Sequence, residues 1–329
     1  MTCLYIVVPC YNEQEVLPET SKRLAQKMES MRDAGLISDS SRVVFVDDGS
    51  RDETWKMIEQ LTHENTLFGG IKLSRNRGHQ NALLCGLMTV CPHCDAAISI
   101  DADLQDDIEV LDQFVQKYEE GCDIVFGVRK DRSTDSTFKR KTAQSYYRFM
   151  QRLGTKLIYN HADFRLMSQR ALRAMAEFGE VNLFLRGMVL ELGFRTDCVY
   201  YDRAKRFAGE SKYPLRKMLA LAVEGITSFS VKPLKLINTV GVLSAVLGGA
   251  LLIAALVFSI MKKAAAAFAV AGSVWLCCGL ILIAAGILGT YIGKIYMEVK
   301  HRPRYIVEKQ CLNLDADLPL SEKSGRQDG

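Results

Sequence analysis

Two carboxylates, two positions apart, follow a short apolar run near the middle of the first half of the chain. Residues 96–100 (Ala-Ala-Ile-Ser-Ile) have the character of a buried parallel strand, and Asp101 and Asp103 come directly after it. Ligands of open α/β sheets collect at the carboxyl ends of strands, where Mg²⁺ or Mn²⁺ takes hard oxygen ligands and bridges to phosphates. The spacing therefore predicts a metal–diphosphate site that stabilises a leaving diphosphate. The simpler alternative is an acidic loop that caps the next helix, and that role suffices for Asp106 and Asp107.

Three strand–loop–helix units come before the acidic loop and must position it. Their strands are predicted at residues 4–8, 42–46 and 70–73, and each is followed by a polar loop and a helical pattern. Asn12 is expected to cap the first helix. Such a series predicts an α/β domain with a mostly parallel sheet and right-handed crossovers. The first strand is not followed by Gly-x-Gly-x-x-Gly, which disfavours a nicotinamide enzyme.

The loops of the second and third units carry polar residues with two interpretations each. Asp47 follows the second strand, where it can accept hydrogen bonds from a uracil or a ribose, or close an Asx turn with Gly49. The third loop, residues 74–78, contains Arg75 and Arg77, which can contact phosphate or extend into solvent. The residues alone leave these alternatives open.

Basic residues follow a later predicted strand at residues 124–128. Arg129 and Arg132 lie at its carboxyl end, and Lys139 and Arg140 come soon after. Because arginine suits bidentate contact with phosphate, these residues are candidates to bind the phosphate of an acceptor. A solvated run of charges on a loop is the simpler alternative.

Composition excludes several classes of protein. The chain has 329 residues and a net charge of +4, without a basic stripe interleaved with aromatic residues, so we expect no binding of nucleic acid. Ten cysteines without a framework spacing indicate buried thiols in a reducing compartment. Cys91 and Cys94 form a Cys-x-x-Cys pair, but a structural zinc site normally needs a second pair. The N-terminus lacks a basic n-region and is predicted to be the first strand rather than a signal peptide.

The C-terminal third contains two long uncharged runs. Residues 236–261 and residues 264–293 carry no charge and are separated by Lys262 and Lys263. Each run is long enough to span about 30 Å of hydrocarbon, which predicts a transmembrane hairpin of two helices. The basic segment before them, residues 206–235, is predicted to contain amphipathic helices that lie in the membrane interface.

Positive charge lies beside the outer ends of the two runs. The residues concerned are Arg216, Lys217, Lys232 and Lys235 before them, and Lys294, Lys300, Arg302, Arg304 and Lys309 after them. This bias predicts that the catalytic domain and both termini are cytoplasmic, in a cell-membrane protein that crosses the bilayer twice. Small-xxx-small pairs in the second run leave a homo-oligomer open. The polar tail after Gln310 is expected to be disordered.

Four motifs in the first half resemble, in order and spacing, family 2 glycosyltransferases of the GT-A fold. They are Val8-Pro9-Cys10-Tyr11-Asn12-Glu13, Val46-Asp47-Asp48-Gly49-Ser50, Leu73-Ser74-Arg75-Asn76 and Asp101-Ala102-Asp103-Leu104-Gln105. Three later segments resemble the polyprenyl-phosphate branch, which contains bactoprenol glucosyltransferases and dolichyl-phosphate mannose synthases. They are Asp163-Phe164-Arg165-Leu166-Met167, Phe184-Leu185-Arg186-Gly187 and Arg206-Phe207-Ala208-Gly209-Glu210-Ser211-Lys212-Tyr213. The chain has His79 where a lysine is common in the family.

The resemblance implies metal-dependent, inverting transfer of a sugar from a nucleotide sugar to a polyprenyl phosphate, with Mg²⁺ or Mn²⁺ as cofactor. Glucose from UDP-glucose and undecaprenyl phosphate are the expected substrates. The implied nucleotide-sugar residues are Pro9, Tyr11, Glu13, Asp47, Ser74, Arg75 and Asp101. The implied metal ligands are Asp103 and Gln105, and the implied catalytic residues are Asp103 and Asp163. The acceptor-phosphate candidates are Arg129, Arg132, Arg140, Arg206, Ser211 and Lys212.

Asp163 has three interpretations. In related enzymes this aspartate lies by the sugar and is a candidate base. A phosphate monoester is already ionised near pH 7, with a second pKa of about 6, so its oxygen can attack the anomeric carbon without a base. Asp163 can instead orient a sugar hydroxyl or anchor Arg165, and the sequence leaves these alternatives open.

The sequence thus predicts a GT-A domain at residues 1–205, a mobile loop with interfacial helices at 206–235, two transmembrane helices at 236–293 and a partly disordered cytoplasmic tail at 294–329. A polyprenyl-phosphate glycosyltransferase that uses another nucleotide sugar is the main alternative. A processive polysaccharide synthase is disfavoured because neither tryptophan lies in a Gln-x-x-Arg-Trp motif. A membrane scaffold that binds nucleotide without catalysis would have no need of both metal carboxylates and acceptor cations.

Overall fold

The protein forms two compact units. The computed structural model describes residues 1–130, 161–180, 185–202 and 266–312, and scattered positions between 237 and 250. The first unit comprises Met1–Arg148, Lys156–Lys212 and Pro303–Gly329, and the second comprises Phe149–Thr155 and Tyr213–Arg302. The first unit is therefore built from segments on both sides of the apolar part of the chain.

The described part of the first unit alternates strands and helices. The strands are β1 (Leu4–Cys10), β2 (Arg42–Asp47), β3 (Phe68–Leu73), β4 (Ala96–Ser99), β5 (Ile124–Arg129), β6 (His161–Ser168), β7 (Thr196–Tyr201) and β8 (Val307–Cys311). The helices are α1 (Leu17–Asp33), α2 (Thr54–Glu64), α3 (His79–Val90), α4 (Leu111–Glu119), α5 (Gln169–Ala176) and α6 (Leu185–Glu191). The first four strands and the acidic loop after β4 lie where the sequence predicts them.

The eight described strands form one sheet in the order β7-β5-β6-β4-β1-β2-β3-β8. β1 pairs in parallel with β2 and β4, β2 with β3, and β5 with β7, whereas β6 and β8 run antiparallel to their neighbours. The predicted mostly parallel α/β sheet is thereby confirmed. Because β6 is reversed, its first residues lie at the same edge of the sheet as the carboxyl ends of β4 and β5.

Both faces of the central strands are buried. Leu4 and Ile6 of β1 share a core with α1, α2 and α4, while Tyr5 and Val7 share the opposite core with α3, α5 and α6. Burial on both sides explains why β1 and β2 have nearly continuous apolar sequences. In α3, a Cβ atom at Gly86 would overlap side chains of the sheet, so this glycine allows the helix to pack closely on β1 and β2.

The expected cap at Asn12 is wrong. Helix α1 begins at Leu17, and its N-cap is Val16, which makes no side-chain cap hydrogen bond. Asn12 has a φ of 53° and its Oδ1 accepts a hydrogen bond from the backbone N–H of Arg51 at 2.9 Å. Asparagine tolerates this left-handed conformation better than most residues, and here it joins two loops rather than starting a helix.

Strand β8 is a finding that sequence reasoning missed. Val307–Cys311 pairs antiparallel with β3, the backbone N–H of Ser74 donates to the carbonyl of Ile306 at 3.0 Å, and Lys72 lies 3.1 Å from Glu308. Its sequence, Val-Glu-Lys-Gln-Cys, is polar because most of this edge strand is exposed to solvent. Polar and charged residues are common on edge strands, where they prevent pairing with other chains.

The described part of the second unit contains helix α7, Ala266–Val299. Its stretch Gly279–Val299 is long and apolar enough to cross a membrane, and none of its most apolar window is buried. The described residues contain one such candidate span, which is identified by its length and composition. The other predicted run, residues 236–261, lies largely outside the described residues, so the two-helix hairpin stays a prediction.

Candidate active site

The residues predicted to bind the nucleotide sugar lie near the carboxyl ends of strands or on the loops that follow, at one edge of the sheet. β4, β1, β2 and β3 are neighbours and point the same way, so the loops after them meet. Pro9 is buried within β1, and Tyr11, just beyond it, is 41% exposed. Ser74 and Arg75 are exposed at the end of β3. The fold thus brings together the loops that carry the residues proposed from sequence for a nucleotide.

The first and second loops are joined by hydrogen bonds. The backbone N–H of Asn12 donates to the Oγ of Ser50 at 2.9 Å, and that of Glu13 donates to the Oγ1 of Thr54 at 2.9 Å. Asp47 is fully buried and both its carboxylate oxygens accept from the backbone N–H of Ser50, at 3.2 and 3.3 Å. Burial raises the pKa of Asp47, although the bonds from Ser50 oppose this. The carboxylate thus closes the turn, which was one of its two interpretations.

Asp48 organises the third loop, a role that sequence reasoning missed. Its carboxylate accepts hydrogen bonds from the backbone N–H groups of Arg77 at 2.7 Å and Gly78 at 2.9 Å. Gly49, with a φ of +67°, lies so close that a Cβ atom would be 2.6 Å from the backbone of Arg75. Asp-Asp-Gly therefore connects two loops: Asp47 bonds within its own turn and Asp48 bonds across to the next.

The acidic loop after β4 gathers oxygen ligands. The backbone N–H of Gln105 donates to the Oδ1 of Asp103 at 3.2 Å, and Gln105 is 9% exposed. Burial raises the pKa of Asp101 to about 6, His79 opposes the shift, and the carboxylates of Asp163, Asp106 and Asp103 add to it. Within the described ranges, no group of three or more His, Cys, Asp or Glu side chains is arranged to hold a metal.

Asp163 lies next to the acidic loop because β6 is antiparallel. Its Oδ1 accepts from the Nη2 of Arg165 at 2.7 Å, and Arg186 donates to both carboxylate oxygens, from Nε at 3.1 Å and from Nη2 at 2.9 Å. The Nε2 of His79 lies 3.7 Å from the Oδ2 of Asp163 and 3.4 Å from the Oδ1 of Asp101. Arg186 and His79 were not among the site residues predicted from sequence.

The surroundings of Asp163 favour its anchoring role. Burial alone would raise its pKa, but the charges of Arg186 and Arg165 outweigh burial and hold the pKa well below the ordinary value. A carboxylate that binds two guanidinium groups has little tendency to accept a proton, so the geometry opposes the base alternative. The guanidinium of Arg165 is buried and needs this carboxylate as a counter-ion.

Asp106 and Asp107 differ, and the capping role expected for both is wrong for Asp106. Asp107 accepts from the backbone N–H of Glu109 at 3.0 Å and caps the short 3-10 turn at Ile108–Val110. Asp106 is buried, and its Oδ1 accepts hydrogen bonds from the Nη2 of Arg129 at 3.0 Å and the hydroxyl of Tyr201 at 2.5 Å. The acidic loop is thus joined directly to a predicted acceptor-phosphate residue.

Five acceptor-phosphate candidates lie outside the described residues. They are Arg132, Arg140, Arg206, Ser211 and Lys212.

The thiols of Cys91 and Cys94 are buried, and burial raises the pKa of both. Buried, protonated thiols fit the structural role that the composition indicates.

The fold and the site define the class of this protein. The chain matches the model of Glycosyl transferase family 2 over residues 5–175, just over half of its length. That range includes the acidic loop, Asp163 and the loops after β1, β2 and β3. The chain therefore belongs to glycosyl transferase family 2, in the branch that includes the bactoprenol glucosyl transferases.

Its relatives are similar over almost the whole chain. It is 48% identical to the uncharacterized glycosyltransferase YkoT of Bacillus subtilis (strain 168), over 94% of this chain and 92% of that protein. It is 39% identical to the SfII prophage-derived bactoprenol glucosyl transferase of Shigella flexneri, over 92% of this chain and 97% of that protein. Among solved structures, a mannosyltransferase from Pyrobaculum calidifontis in complex with GDP-Man and Mn²⁺ has a TM-score of 0.44 and 14% identity, over 92% of this chain and 88% of that one.

The network around Asp163 generates a test. Asp163→Asn should lower the free energy of unfolding by about 3 kcal/mol, because it leaves the buried Arg165 without its counter-ion. Asp39→Asn changes an exposed carboxylate and should leave stability unchanged. Urea unfolding of the detergent-solubilised proteins measures both. If Asp163→Asn abolished turnover at unchanged stability, the base role would be right and the anchoring role wrong.

The same network predicts a pH dependence. The folded-state pKa of Asp163 lies below its unfolded value of about 3.9, so the stabilisation is complete above that value and is lost as pH falls through the folded pKa. The stability difference between wild type and Asp163→Asn should therefore be constant from pH 7 to about pH 5 and shrink below about pH 4. A constant difference down to the acid limit would contradict this assignment.

Proposed function

We propose that the protein transfers a sugar from a nucleotide sugar to a polyprenyl monophosphate, with inversion at the anomeric carbon. The observation that carries the proposal is the ion pair of Asp106 with Arg129, because it joins the acidic loop of the donor side to a cation suited to an acceptor phosphate. The relatives named bactoprenol glucosyl transferases support a bactoprenol acceptor and glucose as the transferred sugar. Undecaprenyl phosphate and UDP-glucose are the substrates that we propose on this basis.

The nucleotide is proposed to lie across the loops after β1, β2 and β3. Tyr11, with Pro9 and Glu13, would contact the nucleoside together with Asp47, which is fixed by its turn. Asp101 would bond the ribose. Ser74 and Arg75 are exposed on a loop that Asp48 and Gly49 hold in place, and they would contact the phosphates.

The acidic loop fits a divalent cation. Asp103 and Gln105 offer hard oxygen atoms, and several carboxylates crowd around Asp101, a repulsion that a cation would relieve. Mg²⁺ is commonly held by one or two carboxylates together with substrate phosphates, and a site with few protein ligands is of this kind. Bound Mg²⁺ or Mn²⁺ would neutralise charge on the departing diphosphate.

The reaction needs positioning more than proton transfer. A phosphate oxygen of the acceptor attacks the anomeric carbon on the face opposite the nucleotide, while the bond from that carbon to the diphosphate oxygen breaks and its electron pair leaves with the diphosphate. Because the acceptor phosphate is already ionised near pH 7, no base is required. Asp163 would then hold Arg165 and Arg186 in place rather than take a proton.

Acceptor binding completes the proposal. Arg129 is the last residue of β5, and its side chain is 25% exposed. The further cations proposed from sequence, Arg132, Arg140, Arg206 and Lys212, with Ser211, would share the phosphate. A lipid acceptor needs a membrane surface, and the span Gly279–Val299 supports a membrane location.

A substrate panel tests the reaction. Purified protein with polyprenyl phosphate should transfer radiolabel from one nucleotide sugar into the organic phase, and UDP-glucose is expected to be the best donor. GDP-mannose and other UDP-sugars are the comparison donors. Transfer from a different donor would retain the polyprenyl-phosphate class and change the sugar. No labelled lipid from any donor would favour a nucleotide-binding scaffold without catalysis.

Replacement of Asp103 tests the metal site. Asp103→Asn should lower turnover at least about 100-fold, because it removes a charged ligand from the cation that stabilises the leaving diphosphate. Asp107→Asn is the matched control, since Asp107 only caps the 3-10 turn. Removal of metal with a chelator should silence the wild type, and added Mg²⁺ or Mn²⁺ should restore it. Near-normal turnover of Asp103→Asn at saturating metal would show that the ligand is assigned wrongly.

The proposed topology has two transmembrane helices with the catalytic domain and both termini in the cytoplasm, where nucleotide sugars are made. The lysines and arginines outside the two apolar runs support it. A reporter fused after Gly329 should be active only if it functions in the cytoplasm. Activity of a reporter that works only outside the cytoplasm would contradict the hairpin.

A further inference from the structure

We propose that Asp106 and Tyr201 are positioning residues that fix the guanidinium of Arg129 so that its free N–H groups receive the acceptor phosphate. The inference rests on the proposed function, since it assigns residues to the acceptor side of that reaction. The sequence predicts only a capping role for Asp106 and assigns no role to Tyr201.

The three side chains form a closed cycle of hydrogen bonds. The Nη2 of Arg129 donates to the Oδ1 of Asp106 at 3.0 Å, the hydroxyl of Tyr201 donates to the same oxygen at 2.5 Å, and the Nε of Arg129 donates to the Tyr201 hydroxyl at 3.3 Å. Two bonds at different nitrogens fix the plane of the guanidinium as well as its position, which one bond would not do.

Each member is held by a different element. Arg129 and Tyr201 are directly paired in the register of the parallel strands β5 and β7. The ring of Tyr201 packs edge-on against Phe164, with centroids 5.4 Å apart, and Phe164 packs on Phe114 at 4.7 Å. Asp106 comes from the acidic loop. The aromatic contacts keep the phenol in place, so its hydroxyl acts as a fixed point for the arginine.

Burial and charge make Asp106 a strong partner for the arginine. The Asp106 side chain is 1% exposed, and its buried Oδ2 has no hydrogen-bond partner within the part of the chain that the structure describes. A buried carboxylate that is incompletely hydrogen-bonded depends on its remaining partners to compensate the charge. Arg129 is therefore held firmly, although its side chain is 25% exposed at the end of its strand.

The fixed arginine retains the capacity to bind an anion. A guanidinium has five N–H groups, and the two bonds of this cycle use one at Nε and one at Nη2. Arginine binds phosphate through two parallel N–H bonds, which requires a guanidinium edge at a set angle. A side chain already fixed in the free enzyme loses less conformational freedom when the phosphate binds. The acceptor should therefore bind more tightly because of the Asp106–Tyr201 pair.

The experiment removes one hydroxyl. Tyr201→Phe keeps the ring packed on Phe164 and deletes the bonds to Arg129 and Asp106. We expect the KM for polyprenyl phosphate to rise about tenfold, with the KM for the nucleotide sugar unchanged. Tyr200→Phe is the matched control, because Tyr200 is the preceding residue of β7 and is 55% exposed. It should behave as wild type in both constants.

A double-mutant cycle separates positioning from general stability. If Tyr201 acts through Arg129, Tyr201→Phe should raise the acceptor KM in the wild type and have no further effect in an Arg129→Ala background. A merely structural hydroxyl would change the KM by the same factor in both backgrounds, which would overturn the proposal. Unfolding midpoints are measured on the same preparations. If Tyr201→Phe does not fold, Asp106→Asn takes its place in the cycle, with the same two outcomes.

Failure of the inference can be told apart from failure of the proposed function. A wild type that transfers no sugar to polyprenyl phosphate would overturn both. An active wild type whose Tyr201→Phe variant has a normal acceptor KM, or a raised KM for the nucleotide sugar alone, would overturn the positioning role and leave the proposed function intact.

Discussion

Compensation of buried negative charge is the constraint on which this site depends. Four aspartates, Asp47, Asp48, Asp106 and Asp163, are buried at the same edge of the sheet. Backbone N–H groups of their own and the neighbouring loop hydrogen-bond two of them, and arginine side chains offset the charge of the other two. Because an uncompensated buried carboxylate is costly, each aspartate sets the position of the loop or side chain that compensates it. The loops of the site are therefore ordered by their acidic residues rather than by apolar packing alone.

The sheet was largely predictable because its signals are local. Strands buried on both faces are apolar along their whole length, and the polar loops after them indicate where the parallel strands end. The site at Asp101 and Asp103 could be predicted from this pattern of apolar strands followed by polar loops, which requires no knowledge of distant contacts. The sequence of β6 does not reveal that this strand is antiparallel to β4. Its direction nevertheless places Asp163 at the edge of the sheet where the acidic loop lies. Strand direction depends on pairing partners far along the chain, and those leave no local pattern.

The roles of individual polar residues were less predictable than the fold. Asp106 and Asp107 are adjacent and chemically identical, but one is buried beside Arg129 and the other caps a turn. Which of them faces the core depends on the path of a loop whose Leu104 has a φ of 54°. Asn12 likewise is a residue type common at helix N-caps, but here its side chain joins two loops. The sequence of edge strand β8 does not predict a strand, because its exposed residues lack alternation of apolar and polar side chains.

The pairing of β8 with β3 also has a consequence for biosynthesis. Residues 307–311 complete the sheet, but they are translated after the whole apolar segment and some 230 residues after β3. Until then the N–H and C=O groups on one side of β3 lack their native partner strand, and an open strand edge invites pairing with other chains. The sheet of the first unit therefore stays unfinished at one side until the apolar segment has been synthesised. A catalytic fragment that ends before the apolar segment would carry the same open edge permanently.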